Sequence, residues 1–158
     1  MFKAAPLLRA MTPDDMPALI ALFRASVRQV ARRDYHEEQL RAWAPDSIDL
    51  TEWTQRHGDR PGWVAVTDGS LSGFCELETD GHLDMMFVHP DRQGQGIASA
   101  LLVQTESVAR QWGLTRLFTE ASLTARPFFE ARGFQIIESQ VVTVRGQDFI
   151  NIRMEKGL

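Results

Sequence analysis

Apolar positions along this chain recur with two periods, and the changes between them mark its elements. Residues 5–11 (APLLRAM) form a short apolar run that predicts a first strand. Thr12-Pro13-Asp14-Asp15 then reads as a helix start, with a capping hydroxyl, a proline suited to the first helical position and a carboxylate that favours the N-terminal dipole. Met16, Leu19, Ile20, Phe23, Val27 and Val30 follow at helical spacing and give this helix one buried face. A second short helix is predicted over 36–43, stopped by Pro45, and a third over 50–57, ended by Gly58.

From residue 63 the period drops to two. Strands are predicted over 63–67, 71–78 and 82–88, with Asp68-Gly69 and Asp80-Gly81 as the turns of an antiparallel meander. After His89-Pro90 the helical period returns, and Ala98, Leu101, Leu102, Thr105, Val108, Ala109 and Trp112 line one face of a helix ending near Gly113. Residues 116–120 form the next strand, parallel to the one before because a helix separates them. A short helix over 127–132 and a hairpin of 134–144 with 147–155 complete the chain. The pattern predicts an α/β fold: a mixed, mostly antiparallel sheet with helices on both faces, in a single domain over 1–158.

Composition narrows the function. The formal net charge of -4 argues against nucleic acid, whose phosphates call for a basic surface. No apolar run approaches the roughly 20 residues that span a bilayer, so no membrane partner is expected. Cys75 is the only cysteine, and the N-terminal segment lacks the pattern of a signal peptide; a cytoplasmic location is the expectation. His36, His57, His82 and His89 do not have the spacing of a zinc set, and no metal is expected.

The chemistry concentrates in Val88 to Leu102, VHPDRQGQGIASALL. Gly94 and Gly96 stand between a strand and a long helix, where glycines let successive N–H groups converge on one anion and the helix start adds its dipole. Such a loop holds a phosphate or diphosphate. A nucleotide P-loop would need a lysine after Gly96, and none follows. A dinucleotide loop would need a third glycine where Ser99 stands and would follow a first βαβ unit rather than a meander; Glu120 is the one residue that could mimic its ribose-binding acid.

These residues resemble the GNAT acetyltransferase superfamily. Gln93-Gly94-Gln95-Gly96-Ile97-Ala98 matches its Q/R-x-x-G-x-G/A loop, Val88-His89-Pro90 its Val-x-Pro element, and the stretch from Ala125 to Phe134 its A-x-x-F-Y-x-x-x-G-F segment. The resemblance implies transfer of an acetyl group from acetyl-CoA, as cosubstrate, to a primary amine of a small molecule or peptide. It implies that the diphosphate of coenzyme A lies on the backbone of Gln93, Gly94, Gln95, Gly96, Ile97, Ala98 and Ser99. Met86, Phe87 and Val88 would pair with the pantetheine arm, and one of their N–H groups would polarise the thioester.

An amine of ordinary pKa near 10.4 must lose a proton before attack. Where the family often places a glutamate this chain has His82, and strand alternation puts Asp84 on the same face, so this pair is the candidate base and orienting partner. The family's usual acid, a tyrosine, is Phe129 here and has no proton to give. Ser122 stands where an asparagine is frequent, and can hydrogen-bond the coenzyme sulfur or cap the following helix. Tyr35 is the chain's single tyrosine, in a segment similar to that of a bacterial GNAT subgroup, and either replaces the missing acid or packs. Trp43, Trp53 and Trp63 are candidates for an acceptor pocket or for core, and Cys75 reads as a buried structural thiol. A coenzyme-binding sensor without turnover and transfer of a longer acyl chain are the alternatives. The C-terminal hairpin is a candidate homodimer contact.

Overall fold

Two antiparallel sheets, joined at one point, carry the chain in this computed structural model, which describes residues 5–158. The start of the N-terminal segment lies outside the described residues. The first sheet has strands β1 (Leu7–Ala10), β2 (Gly62–Thr67), β3 (Ser70–Leu77) and β4 (Leu83–Val88), in that order. The second has β5 (Arg116–Ser122), β6 (Gln135–Val144) and β7 (Gln147–Gly157), in the order β5-β7-β6. β7 is therefore inserted between its hairpin partner and β5, antiparallel to both. The expected mixed architecture stands, but its one parallel contact is a single bridge between His82 and Phe118.

Helices cover both faces. α1 (Met16–Val30), α2 (Glu37–Trp43) and α3 (Leu50–His57) share one core with Val64 and Phe74. α4 (Ile97–Gln111) and the short α5 (Arg126–Glu130) share another with Ala65, Cys75 and Leu77. The alternation of Phe74 and Cys75 between the two cores is the period of a strand buried on both faces. α5 stops two residues short of the sequence expectation, and Trp112, expected on the buried face of α4, is 41% exposed beyond its end. No helix among the described residues is long and apolar enough to cross a membrane.

The start of α1 differs from a simple cap. Pro13–Asp15 form a single 3-10 turn, and Asp15 is buried. Its carboxylate accepts two hydrogen bonds from Arg9 (2.9 and 2.7 Å) and one from the backbone N–H of Thr12 (2.8 Å), fastening β1 to the helix. The Arg9 hydrogen bond is the main cause that holds the Asp15 carboxyl below its ordinary 3.8. A lowered carboxylate stabilises the fold above the unfolded pKa and ceases to do so as pH falls through the folded one. Arg9 is 44% exposed, so screening keeps the effect modest. Asp15→Asn is expected to cost about 1–2 kcal/mol in urea unfolding at pH 7, and the difference from the parent should close as pH falls below 3.8.

Candidate active site

β4 and β5 meet at one end and separate at the other. At the closed end the Phe118 N–H donates to the Gly81 carbonyl (3.0 Å), and a Cβ on Gly81 would lie 2.5 Å from the Arg116 carbonyl oxygen, so only glycine permits this approach. The His82 ring stacks on Phe118, with centroids 5.0 Å apart, and bonds Glu78 (3.0 Å) and Glu120 (2.5 Å). One residue on, the Thr119 hydroxyl donates to the Leu83 carbonyl (2.8 Å), a side chain replacing the next rung of the ladder. Beyond that no ladder joins the two strands. His89 N–H bonds Ser72 on β3 (2.8 Å), so by strand alternation the N–H and C=O of Met86 and Val88 point away from β3, into the gap. The Phe87 backbone turns to β3, and its ring faces the cavities.

The glycine loop stands at the open end. Gly94 and Gly96 have φ of 70° and 80°, a left-handed conformation that side chains resist, although no atom lies within 4 Å of a Cβ built at either. Gly96 caps α4, and the first helical bond runs from Ala100 N–H to its carbonyl (3.0 Å), which leaves the N–H groups of Ile97, Ala98 and Ser99 without helical acceptors. Gln93 folds back to donate to the Val88 carbonyl (3.0 Å). The Ser99 hydroxyl accepts from Arg132 (2.6 Å), whose guanidinium lies 3.8 Å over the Phe128 ring. Gln95 lies in the same turn, just before the cap.

Three adjoining cavities run from this loop across the molecule. The first, of about 190 Å³, reaches from Gln93 and Ala98 to Met86, Ser122 and Phe129. The second, about 280 Å³, is the strand gap itself and shares Met86, Phe87, Ser122, Ala125 and Phe129 with the first. The third, about 540 Å³, opens between α2, α3 and the β6–β7 turn, and shares Trp43, Asp84, Met85 and Val144 with the gap. Trp43 lines all three. Trp53 lines the outer cleft, whereas Trp63 packs into the α4 core.

Asp84 stands where the gap meets the outer cleft. Glu76 pairs with Met85 and Leu77 with Leu83, so Asp84 is the extra residue of a β-bulge, the irregularity that re-aims side chains beside sites. Arg60 bonds its Oδ2 and also approaches Glu76 (3.4 Å) and Glu78 (3.6 Å). Buried Glu76 meets the His57 ring nitrogen at 2.9 and 3.0 Å through its two oxygens, the latter with hydrogen-bond geometry. Ligand atoms of Glu78, His82 and Asp84 lie within 4.8 Å of one another, as do those of His57, Glu76 and Asp84. The cation these acids hold is the guanidinium of Arg60. Its role was absent from the sequence reading, because nothing local links residue 60 to residue 84.

The other candidates fall in different places. His82 joins Asp84 in the charge cluster but lines none of the three cavities; its two ring nitrogens are committed to Glu78 and Glu120. Burial opposes its protonation, but the bonds to Glu120 and Glu78 outweigh that and raise its pKa above 6.5. Ser122 lines the first two cavities, and its hydroxyl accepts from Ala125 N–H (3.0 Å) within the turn that leads into α5, a helix that has no side-chain cap. The Tyr35 hydroxyl donates to the Ile150 carbonyl (2.7 Å) and accepts from Leu123 N–H (3.0 Å), bridging β5 to β7; burial is the main cause that raises its pKa. The Cys75 thiol touches Thr105 (3.4 Å), and burial pushes it up to about 12.

A row of free amides before α4, a slot in a sheet and a second cleft beyond it together suit a transferase with a long anionic donor and a separate acceptor. A sequence model described as an acetyltransferase (GNAT) domain matches residues 31–156. An uncharacterized N-acetyltransferase of Escherichia coli, YafP, is 35% identical over 93% of both chains. The crystal structure of a GCN5-related N-acetyltransferase from Rhodopseudomonas palustris superposes with a TM-score of 0.95 at 33% identity, covering 100% of this chain and 99% of that one. The Thermoplasma acidophilum PaiA N-acetyltransferase, solved with coenzyme A, shares the fold at a TM-score of 0.76 and 21% identity, over 98% of this chain and all of its own. This chain belongs to the GNAT superfamily, and it is an acyl-CoA-dependent N-acetyltransferase.

Two measurements check this geometry. Cys75 should resist a thiol reagent such as DTNB at pH 8 in the folded protein and react once guanidinium unfolds it. His82→Gln should be most destabilising below pH 6.5, because a raised histidine pKa stabilises the fold there, and the difference should shrink as pH rises through the folded value.

Proposed function

We propose that this enzyme moves the acetyl group of acetyl-CoA to a primary amine that enters through the outer cleft, with Asp84 as the group that receives the amine's proton. The observation that carries this reading is the continuity of the three cavities, which leads from free amides at α4, past the unpaired backbone of Met86 and the N–H of Val88, to Asp84.

The residues fit the coenzyme. Gly94 and Gly96 keep a left-handed backbone with open space above it, and the N–H groups from Gln93 to Ser99 suit a diphosphate. The cosubstrate supplies an activated acyl carbon. A backbone N–H of the Met86–Val88 edge donates to the thioester oxygen, a type of contact worth roughly 3–4 kcal/mol to a transition state. As the C–N bond forms and the C–S bond breaks, the amine's proton passes to Asp84 directly or through a water. Arg60 bonds Oδ2 and is the only described residue to hydrogen-bond this carboxylate, which leaves Oδ1 free to accept.

His82 holds the closed end of the strand gap in this scheme, and Tyr35 fastens its far wall. No side-chain acid replaces the tyrosine absent at Phe129, so the sulfur leaves as thiolate, which an ordinary thiol pKa near 8.5 permits. That absence also favours the sensor reading, and turnover decides between the two: acetyl-CoA binding without thiol release on any amine would establish a sensor.

Asp84→Asn is expected to lower kcat about 100-fold while calorimetry shows coenzyme affinity retained. Wild-type turnover in that variant would remove Asp84 from the mechanism. The double variant Gly94→Ala, Gly96→Ala meets no steric clash but strains two left-handed positions, at roughly 1–2 kcal/mol each. It should weaken coenzyme binding at least tenfold without unfolding the protein.

A further inference from the structure

The outer cleft carries two arginines that a simple amine does not call for. Its charged lining is Asp49, Glu52, Asp84, Arg56 and Arg145, with His57 at its base. Asp84 is already matched by Arg60, and one oxygen of Asp49 caps α3 through the Glu52 N–H (2.9 Å). Arg56 and Arg145 form no ion pair among the described residues, and neither do Asp49 and Glu52, so the cleft offers unpaired charge of both signs.

Arg145 is also placed at a conformational cost. Among the described residues, two tight hairpin turns begin on a non-glycine with positive φ, Asp68 (52°) and Arg145 (47°). Aspartate suits that position, whereas arginine resists it by roughly 1–2 kcal/mol. What the arginine gains there is reach. One guanidinium nitrogen donates to the Ala42 carbonyl (2.7 Å), which pins the side chain across the end of α2 and leaves its other donors along the cleft. A guanidinium fixed by one bond and offering further N–H groups is suited to an oxyanion.

We infer that the acceptor is an amine that also carries a carboxylate, which Arg145 and Arg56 hold at the cleft mouth while the amine faces Asp84. This rests on the transfer reading above. A polycation would leave these two guanidinium groups unmatched, whereas an amine that carries a carboxylate has a partner for each sign of charge. The walls, formed by Trp43, Trp53, Phe23 and Met85, suit an apolar body between the two charged ends. The carboxylate can belong to a free amino acid or to a peptide terminus, and the experiment separates them.

Thiol release from acetyl-CoA would be followed with amino acids, their carboxamides, diamines, and lysine peptides with free or amidated C-termini. The expected result is a kcat/KM at least tenfold higher for the carboxylate in each matched pair. Preference among free amino acids points to a small molecule, and preference confined to the peptide pair points to a peptide terminus. Arg56→Gln, on an exposed helical turn, and Arg145→Lys should each bring the carboxylate-to-carboxamide ratio toward one, mainly through KM. Equal or better rates with carboxamides or diamines would overturn the inference while leaving acetyl transfer intact, as would an unchanged ratio in both variants. Coenzyme binding with no turnover on any amine would instead remove the transfer reading and this one with it.

Discussion

The site depends on a ladder that stops. A sheet gains its cohesion by pairing each N–H and C=O with a neighbour, and leaving such groups unpaired is costly unless water or a ligand meets them. β4 and β5 begin as neighbours, exchange one bridge at His82 and Phe118, and then diverge. Their backbone edges become walls of a slot instead of rungs. The divergence persists because both ends are fastened: Gly81, His82 and Thr119 clamp the closed end, and the Tyr35 hydroxyl ties the far end of β5 to β7. Insertion of β7 beside β5 gives the second sheet its own complete ladder, so β5 does not need β4 for stability.

The charges follow from the same break. A carboxylate beside the slot must face the cavity rather than a neighbouring strand, and the bulge at Asp84 supplies that turn. Arg60 then holds Asp84 and Glu78 and reaches buried Glu76, while His57 backs Glu76 from the α3 side. Buried ions are tolerated only when paired and hydrogen-bonded. Here the pairing makes one rigid unit of α3, the residues after it and the first sheet, and that unit forms the floor of the outer cleft. Asp84 is thus aimed by Arg60, which lines none of the three cavities.

What was legible in the sequence was what local chemistry determines. The helix starts at Thr12 and His36, the turns at Asp68-Gly69 and Arg145-Gly146, and the glycine loop before α4 each depend on a few adjacent residues. The two cores were legible through periodicity. The break between the sheets was not, because strand alternation in 82–88 looks the same whether or not its neighbour stays paired. The bulge was invisible for a related reason: it depends on register against β3. His82 and Asp84 do come together, but through a charge cluster centred on Arg60 instead of simple alternation. A histidine with both nitrogens bound to glutamates fastens strands, and that use depends on Glu120, 38 residues away.

The tyrosine missing at position 129 shows how such a site tolerates a lost group. Phe129 is buried and keeps the ring that walls the first two cavities, so the shape of the slot survives while the hydroxyl does not. Tyr35 also lines the slot, yet its proton is committed to the Ile150 carbonyl, and burial raises its pKa. Using it as an acid would break its hydrogen bond to β7 and charge a phenolate in an apolar setting. Ser122 lines the slot too but is a weak acid whose hydroxyl holds the turn before α5. A sulfur leaving group needs little help, because its conjugate acid is far stronger than any alcohol's. Proton removal from the amine is therefore the demanding step in the proposed scheme, which gives it to the bulged carboxylate of Asp84.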